Sequence, residues 1–381
     1  MKPVKTVVIG CGAISDIYLQ NLTRRFGTAE VAVCCASHRE NAEKKAAQYG
    51  IRAADTAEAL ADPEIGMAVI LTPAPSHYEL VRQALTAGKH VYLEKPLGTK
   101  LPEARDMIAL AREKGLLLAC APETFMGSAV QTARRALDGG MIGDVTSFHV
   151  VANRDLTLLA SIFRFLRLPG GGICHDYGVY YLTALCALLG PMGKVYAQTG
   201  NYRRVRTNVF PDSPEYGQEY VYDNESQVNA VLTTKSGITG TFSLNGDSAI
   251  TDQAAFTIHG TRGILRLGDA NQFGGTVSFL PNDHANPAWE DLEPASPLSD
   301  NCRGIGAADL ARHIREGGEP AASAEMACHV LDIAEKILES GACGKALATE
   351  TTCARPAPFD DWEPLMRQEG TNEKKTPEGV L

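Results

Sequence analysis

The sequence predicts an α/β protein of two domains, and three observations support this prediction. The chain of 381 residues suits two domains of ordinary size. Short apolar runs alternate with helical patterns through the first 122 residues, as in a doubly wound parallel sheet. Later strand-like runs follow one another across turn signals, which indicates a second α/β domain with a mostly antiparallel sheet and helices on one face.

The first half contains five strand-like runs, each separated from the next by a segment with helical spacing. Apolar and β-branched residues dominate these runs, which is typical of parallel strands buried on both faces. The predicted strands are residues 5–9, 30–37, 67–73, 90–96 and 116–122, and the predicted helices between them are residues 15–26, 39–50, 76–88 and 102–115. Residues 1–122 are therefore expected to form the first domain.

The second half changes to strands separated by short turns. A helical pattern at 127–140 leads into a strand-like run at 145–155, and a last helical pattern covers 324–341. Turn residues K-S-G and G-T-R-G predict hairpins among the runs at 228–237, 238–246, 254–263 and 264–269. We assign residues 123–354 to the second domain and the polar, proline-rich residues 355–381 to a loosely packed tail.

Composition argues against several classes of function. The net charge is -9 and no block of Lys or Arg stands out, which disfavours nucleic acid and anionic membranes as partners. No run reaches the roughly 18 apolar residues of a spanning helix, and the N-terminus lacks the pattern of a secretory signal. The ten cysteines include no C-x-x-C pair, which favours reduced thiols in the cytoplasm.

A glycine-rich turn, the phosphate loop (Gly10–Ser15), follows the first predicted strand. Gly10-x-Gly12-x-x-Ser15 matches the dinucleotide fingerprint G-x-G-x-x-G/A, with Ala13 and Ile14 completing the turn. The first glycine makes the turn, and the second lets the backbone approach a pyrophosphate at the helix N-terminus. The loop therefore predicts a Rossmann domain that binds NAD or NADP.

The end of the second predicted strand bears on the choice between these cofactors. A carboxylate is expected there if the ribose 2′-hydroxyl is to be bound, but the chain has Cys35-Ala36-Ser37-His38-Arg39. Ser37 and Arg39 suit a 2′-phosphate, which favours NADP. The alternative is that Arg39 only begins a solvated helix.

The phosphate loop and residues 72–96, with the motif Glu94-Lys95-Pro96, resemble the glucose–fructose oxidoreductase / inositol dehydrogenase / MocA (Gfo/Idh/MocA) family. The resemblance covers nearly the whole chain and is looser after the first domain. It implies NAD(P)-dependent chemistry on a small-molecule sugar, inositol or related polyol. It also implies a homo-oligomer, a dimer or tetramer, formed through the open sheet of the second domain.

Lys95 is the first catalytic candidate within this resemblance. It follows the fourth predicted strand, at the sheet edge where ligands of such folds bind, and a cation there stabilises an alkoxide as hydride leaves. Simple pairing with Glu94 is the alternative. Glu94, Thr72-Pro73 and His77 are expected to contact or position the cofactor, although His77 also suits an ordinary helix terminus.

The second domain carries a further motif in the segment P-G-G-G-I-C-H-D-Y-G-V-Y, residues 169–180. It resembles the family pattern Gly-Gly-x-x-x-Asp-x-Gly-x-His at four positions, namely Gly171, Gly172, Asp176 and Gly178. Tyr180 stands where the family usually has histidine. The resemblance makes Tyr180 the acid/base and Asp176 the residue that orients Lys95 or hydrogen-bonds the substrate.

Five other residues are expected on the substrate side: Glu123, Phe125, Arg154, Arg164 and His175. The arginines suit a carboxylate or another polar substituent, and ordinary surface arginines are the alternative. Cys174-His175-Asp176 is not expected to bind a metal. Adjacent residues rarely all point at one ion, and no partner Cys/His pair has the typical spacing.

The sequence thus predicts an NAD(P)-dependent oxidoreductase that transfers hydride between a nicotinamide and a secondary alcohol or ketone of a sugar, glycoside or polyol. Two other functions stay open, because the family also includes redox-neutral enzymes and non-catalytic nucleotide-binding regulators. The redox-neutral members hold their cofactor tightly and include glycosidases, transhydrogenases and enzymes that oxidise a sugar transiently for elimination. The joint presence of Lys95, Asp176 and Tyr180 argues against a regulator.

Overall fold

The computed structural model of the chain describes residues 2–250 and 253–368. The strands of its first sheet are β1 (Val4–Ile9), β2 (Ala29–Cys35), β3 (Arg52–Ala53), β4 (Met67–Ile70), β5 (His90–Leu93) and β6 (Leu118–Cys120). The helices between them are α1 (Ser15–Arg24), α2 (Arg39–Tyr49), α3 (Thr56–Ala61), α4 (His77–Thr86) and α5 (Leu101–Lys114). All neighbours pair in parallel, in the order β3-β2-β1-β4-β5-β6.

Side chains that alternate along the strands bury this sheet on both faces. In β1, Val8 packs in one hydrophobic cluster while Val7 and Ile9 pack in another, and Val69 and Ile70 of β4 divide in the same way. The doubly wound parallel sheet is confirmed. The sequence prediction missed β3 and α3, because two and six residues are too few to show a period.

The second half of the chain forms a sheet of nine strands and a separate ribbon of two. Its strands are β7 (Val145–Asn153), β8 (Met192–Gly200), β9 (Val205–Thr207), β10 (Glu219–Val221), β11 (Gln227–Thr234), β12 (Thr239–Asn245), β13 (Gln253–Gly260), β14 (Gly263–Leu267), β15 (Ser278–Pro281), β16 (Glu290–Asp291) and β17 (Leu347–Ala348). The large sheet has the order β16-β15-β14-β13-β7-β12-β11-β8-β17, and β9 pairs with β10. Among the described residues of this sheet, β7 and β12 pair in parallel and all other neighbouring strands pair antiparallel, so the mostly antiparallel sheet is confirmed.

Helices of the second half cover one face of this sheet and leave the other face open. The helices of the second half are α6 (Ser128–Asp138), α7 (Leu156–Ile162), α8 (Val179–Leu189), α9 (Ile305–Glu316) and α10 (Ala324–Cys343), of which α9 packs on the first domain instead. Val150 and Val195 point to the covered face and are fully buried. Val151, Tyr196 and Val231 point the other way and are 42%, 43% and 43% exposed. Alternation along the strands therefore leaves an apolar outer surface.

The C-terminal segment packs against the first domain, and the prediction of a loose tail is wrong for residues 355–368. Leu365 is fully buried, and its carbonyl accepts a hydrogen bond from the Gly27 N–H at 2.9 Å. Phe359 is also buried, at 5% exposure. A few apolar side chains in an otherwise polar segment are enough to dock it. Residues 369–381 lie outside the described part of the chain.

Helix α9 also packs on the first domain, although it follows the large sheet in sequence. Thr28 Oγ1 donates a hydrogen bond to Ala308 O at 2.7 Å. Asn21 Nδ2 donates to the carbonyl oxygens of Asn301 and Arg303, both at 2.8 Å. These contacts hold α9 and the loop before it against the first domain.

The helices and the cysteines of the structure bear on two predictions made from composition, the lack of a membrane-spanning helix and the presence of reduced thiols. Within residues 2–250 and 253–368, no helix is long and apolar enough to cross a membrane. All ten cysteines are free thiols, and only Cys343 is exposed. Burial raises the pKa of the Cys35 thiol to about 12, so this thiol behaves as a small apolar side chain.

Candidate active site

A cleft of about 620 Å³ lies between the carboxyl edge of the parallel sheet and the second domain. The first domain contributes the phosphate loop and the residues that follow β4 and β5. The second domain contributes α7, the segment before α8 and the loop before α9. Ligands of doubly wound sheets bind at this edge, so this cleft is the candidate active site.

The phosphate loop has the backbone that a dinucleotide site requires. Gly10 has a φ of 110°, which other residues rarely adopt, and a Cβ on it would lie 2.8 Å from the carbonyl carbon of Leu71. Among the described residues, none outside the loop comes within 4 Å of a Cβ built on Gly12. Gly12, Ala13 and Ile14 line the cleft at the N-terminus of α1. This arrangement fits a pyrophosphate.

The residues that favour NADP lie at the end of β2, outside the cleft lining. Arg39 begins α2, and its guanidinium lies 3.1 Å from Glu43 Oε1 and 3.5 Å from Asp55 Oδ1. It also donates to Ala53 O at 3.2 Å. These contacts hold a half-exposed guanidinium close to the strand end that carries Ser37. A 2′-phosphate bound there would share the guanidinium with two carboxylates.

Lys95 follows β5 and reaches across the cleft to the second domain. Its Nζ donates to Oδ1 and to the backbone carbonyl of Asp176, both at 2.7 Å. Burial lowers the pKa of Lys95, but the neighbouring Asp176 and Tyr180 outweigh burial, and the net shift is upward. Glu94 is not its partner, because that carboxylate accepts from the Tyr18 hydroxyl at 2.8 Å and from the Lys95 backbone N–H at 2.9 Å.

Tyr180 lies in the first turn of α8, between two cations. Lys95 Nζ lies 5.2 Å from the centroid of its ring, and Arg303 Cζ lies 6.0 Å from it. Arg303 donates to Asn271 Oδ1 at 2.7 Å and to Asn301 Oδ1 at 3.0 Å. Arg303 and Asn271 line the cleft, and the sequence analysis missed both. No motif marks their loops, so no signal in the sequence pointed to them.

The second-domain motif forms a π-helical turn at Cys174–Gly178 that leads into α8. A Cβ on Gly172 would overlap the carboxylate of Glu225. That carboxylate accepts from the Cys174 N–H at 2.9 Å, and burial raises the pKa of Glu225 to about 7. The glycine therefore lets a partly buried carboxyl group brace the turn that presents Asp176. π-Helical turns are frequent at functional sites.

His77 lies outside the cleft lining, where it contacts the Thr72-Pro73 segment that it was expected to position. The side chain is fully buried, with Nδ1 2.8 Å from Pro96 O and Nε2 2.7 Å from Thr72 O. Burial lowers its pKa. His77 thus joins the segment after β4 to the segment after β5, and these segments place Thr72, Pro73 and Pro96 in the cleft lining.

Three residues expected to face the substrate also lie outside the cleft lining. Glu123 and Phe125 are each 1% exposed, and the N–H of Gly304 at the start of α9 donates to Glu123 at 2.5 Å. Burial raises the pKa of Glu123 to about 7. His175 is buried as well, and burial lowers its pKa to about 4. The structure thus places all three behind the cleft lining, and their contact with a substrate stays a prediction.

Arg154 and Arg164 both line the cleft but have different partners. Arg154 Nη1 lies 3.6 Å from Asp176 Oδ2, and its Cζ lies 4.1 Å from the centroid of the Tyr177 ring. Arg164 is exposed and pairs with Glu215. Arg154 therefore belongs to the polar group around Asp176, whereas Arg164 lies at the mouth of the cleft.

One group of potential metal ligands lies away from the cleft. In the described part of the chain, Cys186, His329 and Cys353 are buried with their ligand atoms within 4.8 Å of one another. His329 Nε2 accepts from the Met192 N–H at 3.0 Å, and Nδ1 lies 2.9 Å from Thr351 Oγ1. Both imidazole nitrogens are thus engaged, and we assign no metal to this group.

The sequences of relatives with named activities align with much of this chain. It is 28% identical over 314 residues to trans-1,2-dihydrobenzene-1,2-diol dehydrogenase of Bos taurus, covering 81% of this chain and 86% of that protein. It is 29% identical over 258 residues to dTDP-3,4-didehydro-2,6-dideoxy-alpha-D-glucose 3-reductase of Actinomadura kijaniata, covering 67% and 72%. Across five curated relatives, three of which are uncharacterised oxidoreductases, the matched regions span 57% to 86% of each relative's own length.

Solved structures and family models agree on the fold. The apo form of levoglucosan dehydrogenase superimposes with a TM-score of 0.81 at 20% identity, over 93% of this chain and 100% of that one. A model described as an oxidoreductase family with an NAD-binding Rossmann fold matches residues 4–121, and a model of the GFO/IDH/MocA C-terminal domain matches residues 130–266. The two models cover both sides of the cleft, and the chain belongs to the GFO/IDH/MocA family of oxidoreductases.

Proposed function

We propose that the chain is an NAD(P)-dependent oxidoreductase that transfers hydride between the nicotinamide and a secondary alcohol or ketone of a sugar, glycoside or polyol. The observation that carries the proposal is the pair Lys95–Asp176, at 2.7 Å across the cleft and beside Tyr180. The phosphate loop lines the same cleft. A dehydrogenase needs a dinucleotide site and a proton-handling group in one cavity, and this cleft supports both.

The chain's own residues handle the proton. In oxidation, the phenolate form of Tyr180 takes the proton of the substrate hydroxyl on Oη and becomes the hydroxyl, and Lys95 Nζ stabilises the negative charge that develops on the substrate oxygen. Asp176 fixes the Lys95 ammonium through two hydrogen bonds, so the charge is in place before the substrate binds. In reduction, the Tyr180 hydroxyl returns the proton.

The phosphate loop would hold the pyrophosphate of the cofactor at the N-terminus of α1. When bound, the nicotinamide supplies the hydride acceptor or donor. Thr72, Pro73 and Glu94 line the cleft together with the phosphate loop and Lys95. We assign the preference for NADP to Ser37 and Arg39, because a serine hydroxyl and a guanidinium bind phosphate oxygens well.

Turnover with both cofactors tests this function. We expect the purified protein to reduce NADP+ with at least one member of a panel of sugars, glycosides and polyols, followed by the absorbance of the reduced nicotinamide. Arg39→Ala should raise the KM for NADP+ about tenfold and leave that for NAD+ within about twofold. Equal KM values for the two cofactors would contradict the NADP preference, and a panel without turnover would contradict the function.

The same purified protein separates the two other functions. A redox-neutral enzyme would carry tightly bound cofactor after purification and would respond little to added NAD(P)+. A nucleotide-binding regulator would bind the cofactor and turn over no member of the panel. No feature of the cleft favours either of these functions, and either outcome would contradict the proposed dehydrogenase.

We also propose that the open face of the large sheet joins subunits in a dimer or tetramer. Val231 and Tyr196 are cross-strand neighbours there, and both are 43% exposed; exposed apolar groups on one face are typical of interfaces. Val231→Asp places a charge in this apolar face and should give a monomer, measured by light scattering. The measurement is made in reducing buffer, because the free thiols favour a cytoplasmic protein. Val205→Asp on the β9–β10 ribbon should keep the oligomer. A monomeric wild-type protein would contradict this proposal.

A further inference from the structure

One side of the cleft is apolar, although the proposed substrate class is polar. The side chains that form this apolar wall come from α7 and the turn after it: Leu159, Ile162, Phe163, Phe165 and Leu166. Ile162 and Phe165 are 37% and 45% exposed, and the adjacent Leu168 is also 45% exposed. Large apolar side chains left in water at the mouth of a cleft are typical of a ligand-binding groove.

Contacts within the second domain hold the apolar wall in place. Asn224 Nδ2 donates to Leu166 O at 3.0 Å and to Leu168 O at 2.8 Å. Arg167 Nε donates to Ala160 O at 2.9 Å. The wall therefore has its shape before a ligand arrives, which lowers the entropic cost of binding.

The arginines of the same segment are engaged elsewhere and do not make this side an anion site. Arg164 pairs with Glu215, and Arg167 Nη1 lies 3.0 Å from the same carboxylate. The Arg167 guanidinium also stacks on Tyr220, with Cζ 3.8 Å from the ring centroid. The surface that the apolar wall offers to a ligand is thus mainly hydrocarbon.

The opposite side of the cleft mouth is also apolar. Pro73, Ala74 and Pro75, after β4, line that side. A Cβ on Gly170 would lie 3.6 Å from the Ala74 Cβ, so the two domains approach each other closely at the rim. The proposed acid/base tyrosine and the lysine–aspartate pair are buried, whereas Phe165 is exposed. The cleft thus combines a buried polar end with an apolar outer slot.

We propose that the substrate is a glycoside with an aromatic aglycone. Its sugar lies against Lys95, Asp176 and Tyr180, and its aglycone lies between the apolar wall and Pro73–Pro75. A free sugar or small polyol would leave both apolar surfaces in water, whereas an aromatic ring between them removes both from water. This inference rests on the proposed function and names the substrate class of the same site.

Glycosides of one sugar with methyl, phenyl and naphthyl aglycones test the inference. In the wild-type enzyme, kcat/KM should rise at least about tenfold from methyl to phenyl. Phe165→Ser should lower the phenyl-to-methyl ratio below about three, because it removes one face of the slot. Tyr202→Ser is the matched control: it removes an aromatic side chain that is 77% exposed outside the cleft, and it should keep the wild-type ratio. The dissociation constants of the glycosides from the enzyme–NADPH complex, measured by calorimetry, should likewise indicate tighter binding of the phenyl than of the methyl glycoside.

Each other outcome has a distinct meaning. A flat series in an active wild-type enzyme overturns the inference and leaves the proposed function intact. If no glycoside turns over while a free sugar or polyol does, the inference is overturned. If no member of the wider panel turns over, the proposed function fails, and the dissociation constants of the glycosides alone decide the inference. If Phe165→Ser weakens NADPH binding as much as phenyl glycoside binding, the wall belongs to the cofactor and the inference is wrong. Loss of the oligomer in Phe165→Ser would show that a second subunit covers the wall, which also overturns it.

Discussion

Replacing Lys95 with methionine is expected to lower kcat/KM about 1,000-fold, and replacing Tyr180 with phenylalanine about 100-fold or more. Lys95→Met removes the cation that we propose stabilises the developing alkoxide. It also leaves the buried Asp176 carboxylate without its partner at 2.7 Å. Tyr180→Phe removes only the hydroxyl that carries the proton. Steady-state kinetics with the best substrate of the panel measures both losses.

The Tyr180 variant should lose turnover without losing cofactor binding. For Tyr180→Phe, the Kd of NADPH should stay within about twofold of wild type, because the phosphate loop is untouched. Lys5→Met is the matched control. Lys5 Nζ also pairs with a carboxylate, Glu64 Oε2 at 2.6 Å, but it lies in β1 outside the cleft lining. Retention of more than about a tenth of the wild-type kcat/KM by either site variant would refute the assigned roles.

Gly172→Ala is expected to lower the free energy of unfolding by about 3 kcal/mol. The new methyl group would overlap the Glu225 carboxylate, which lies partly buried against the π-helical turn. If that carboxylate moves away, the Cys174 N–H loses its acceptor at 2.9 Å. Chemical denaturation of the purified variant measures the loss. Activity should fall with it, because Asp176 lies on the same turn.

Two comparisons isolate the overlap as the cause. A Cβ on Gly268 meets no atom within 4 Å in the described part of the chain, so Gly268→Ala should change the free energy of unfolding by less than about 0.5 kcal/mol. In a Glu225→Ala background, Gly172→Ala should cost less than about 1 kcal/mol, because the overlapping group is gone. Equal costs in the two backgrounds would mean that the glycine serves another purpose.

The regular part of the fold was predictable because its signal is local. The long strands of the first sheet are rich in apolar and β-branched residues, and the helices between them keep a helical period. The sequence analysis missed α9 although this helix has a buried face. The strands that α9 packs against belong to the first domain and lie far from it in sequence. The docking of the tail has the same cause. Contacts between distant parts of the chain, and not the periodicity of the sequence, determine where α9 and the C-terminal segment pack.

The candidate site was predictable only where a motif marks it. Motifs placed Gly10, Gly12, Lys95, Asp176 and Tyr180 in one region, and the structure brings all five to the phosphate loop, the cleft or its edge. Position at a strand end does not tell which way a side chain points. Hence the sequence placed substrate contacts after the fifth strand, where the loop before α9 instead buries the side chains. The arginine supplied by that loop had no motif to mark it.

The return of α9 and of the C-terminal segment to the first domain limits how modular the protein is. Phe26 is fully buried and forms a bridge with Met366, and a Cβ on Gly306 would lie 2.7 Å from the Tyr92 ring. A chain cut at residue 122 would leave these surfaces bare. The cofactor-binding half is therefore not a cassette that can be exchanged at its sequence boundary. A chimaera that transplants it must carry the two returning segments as well.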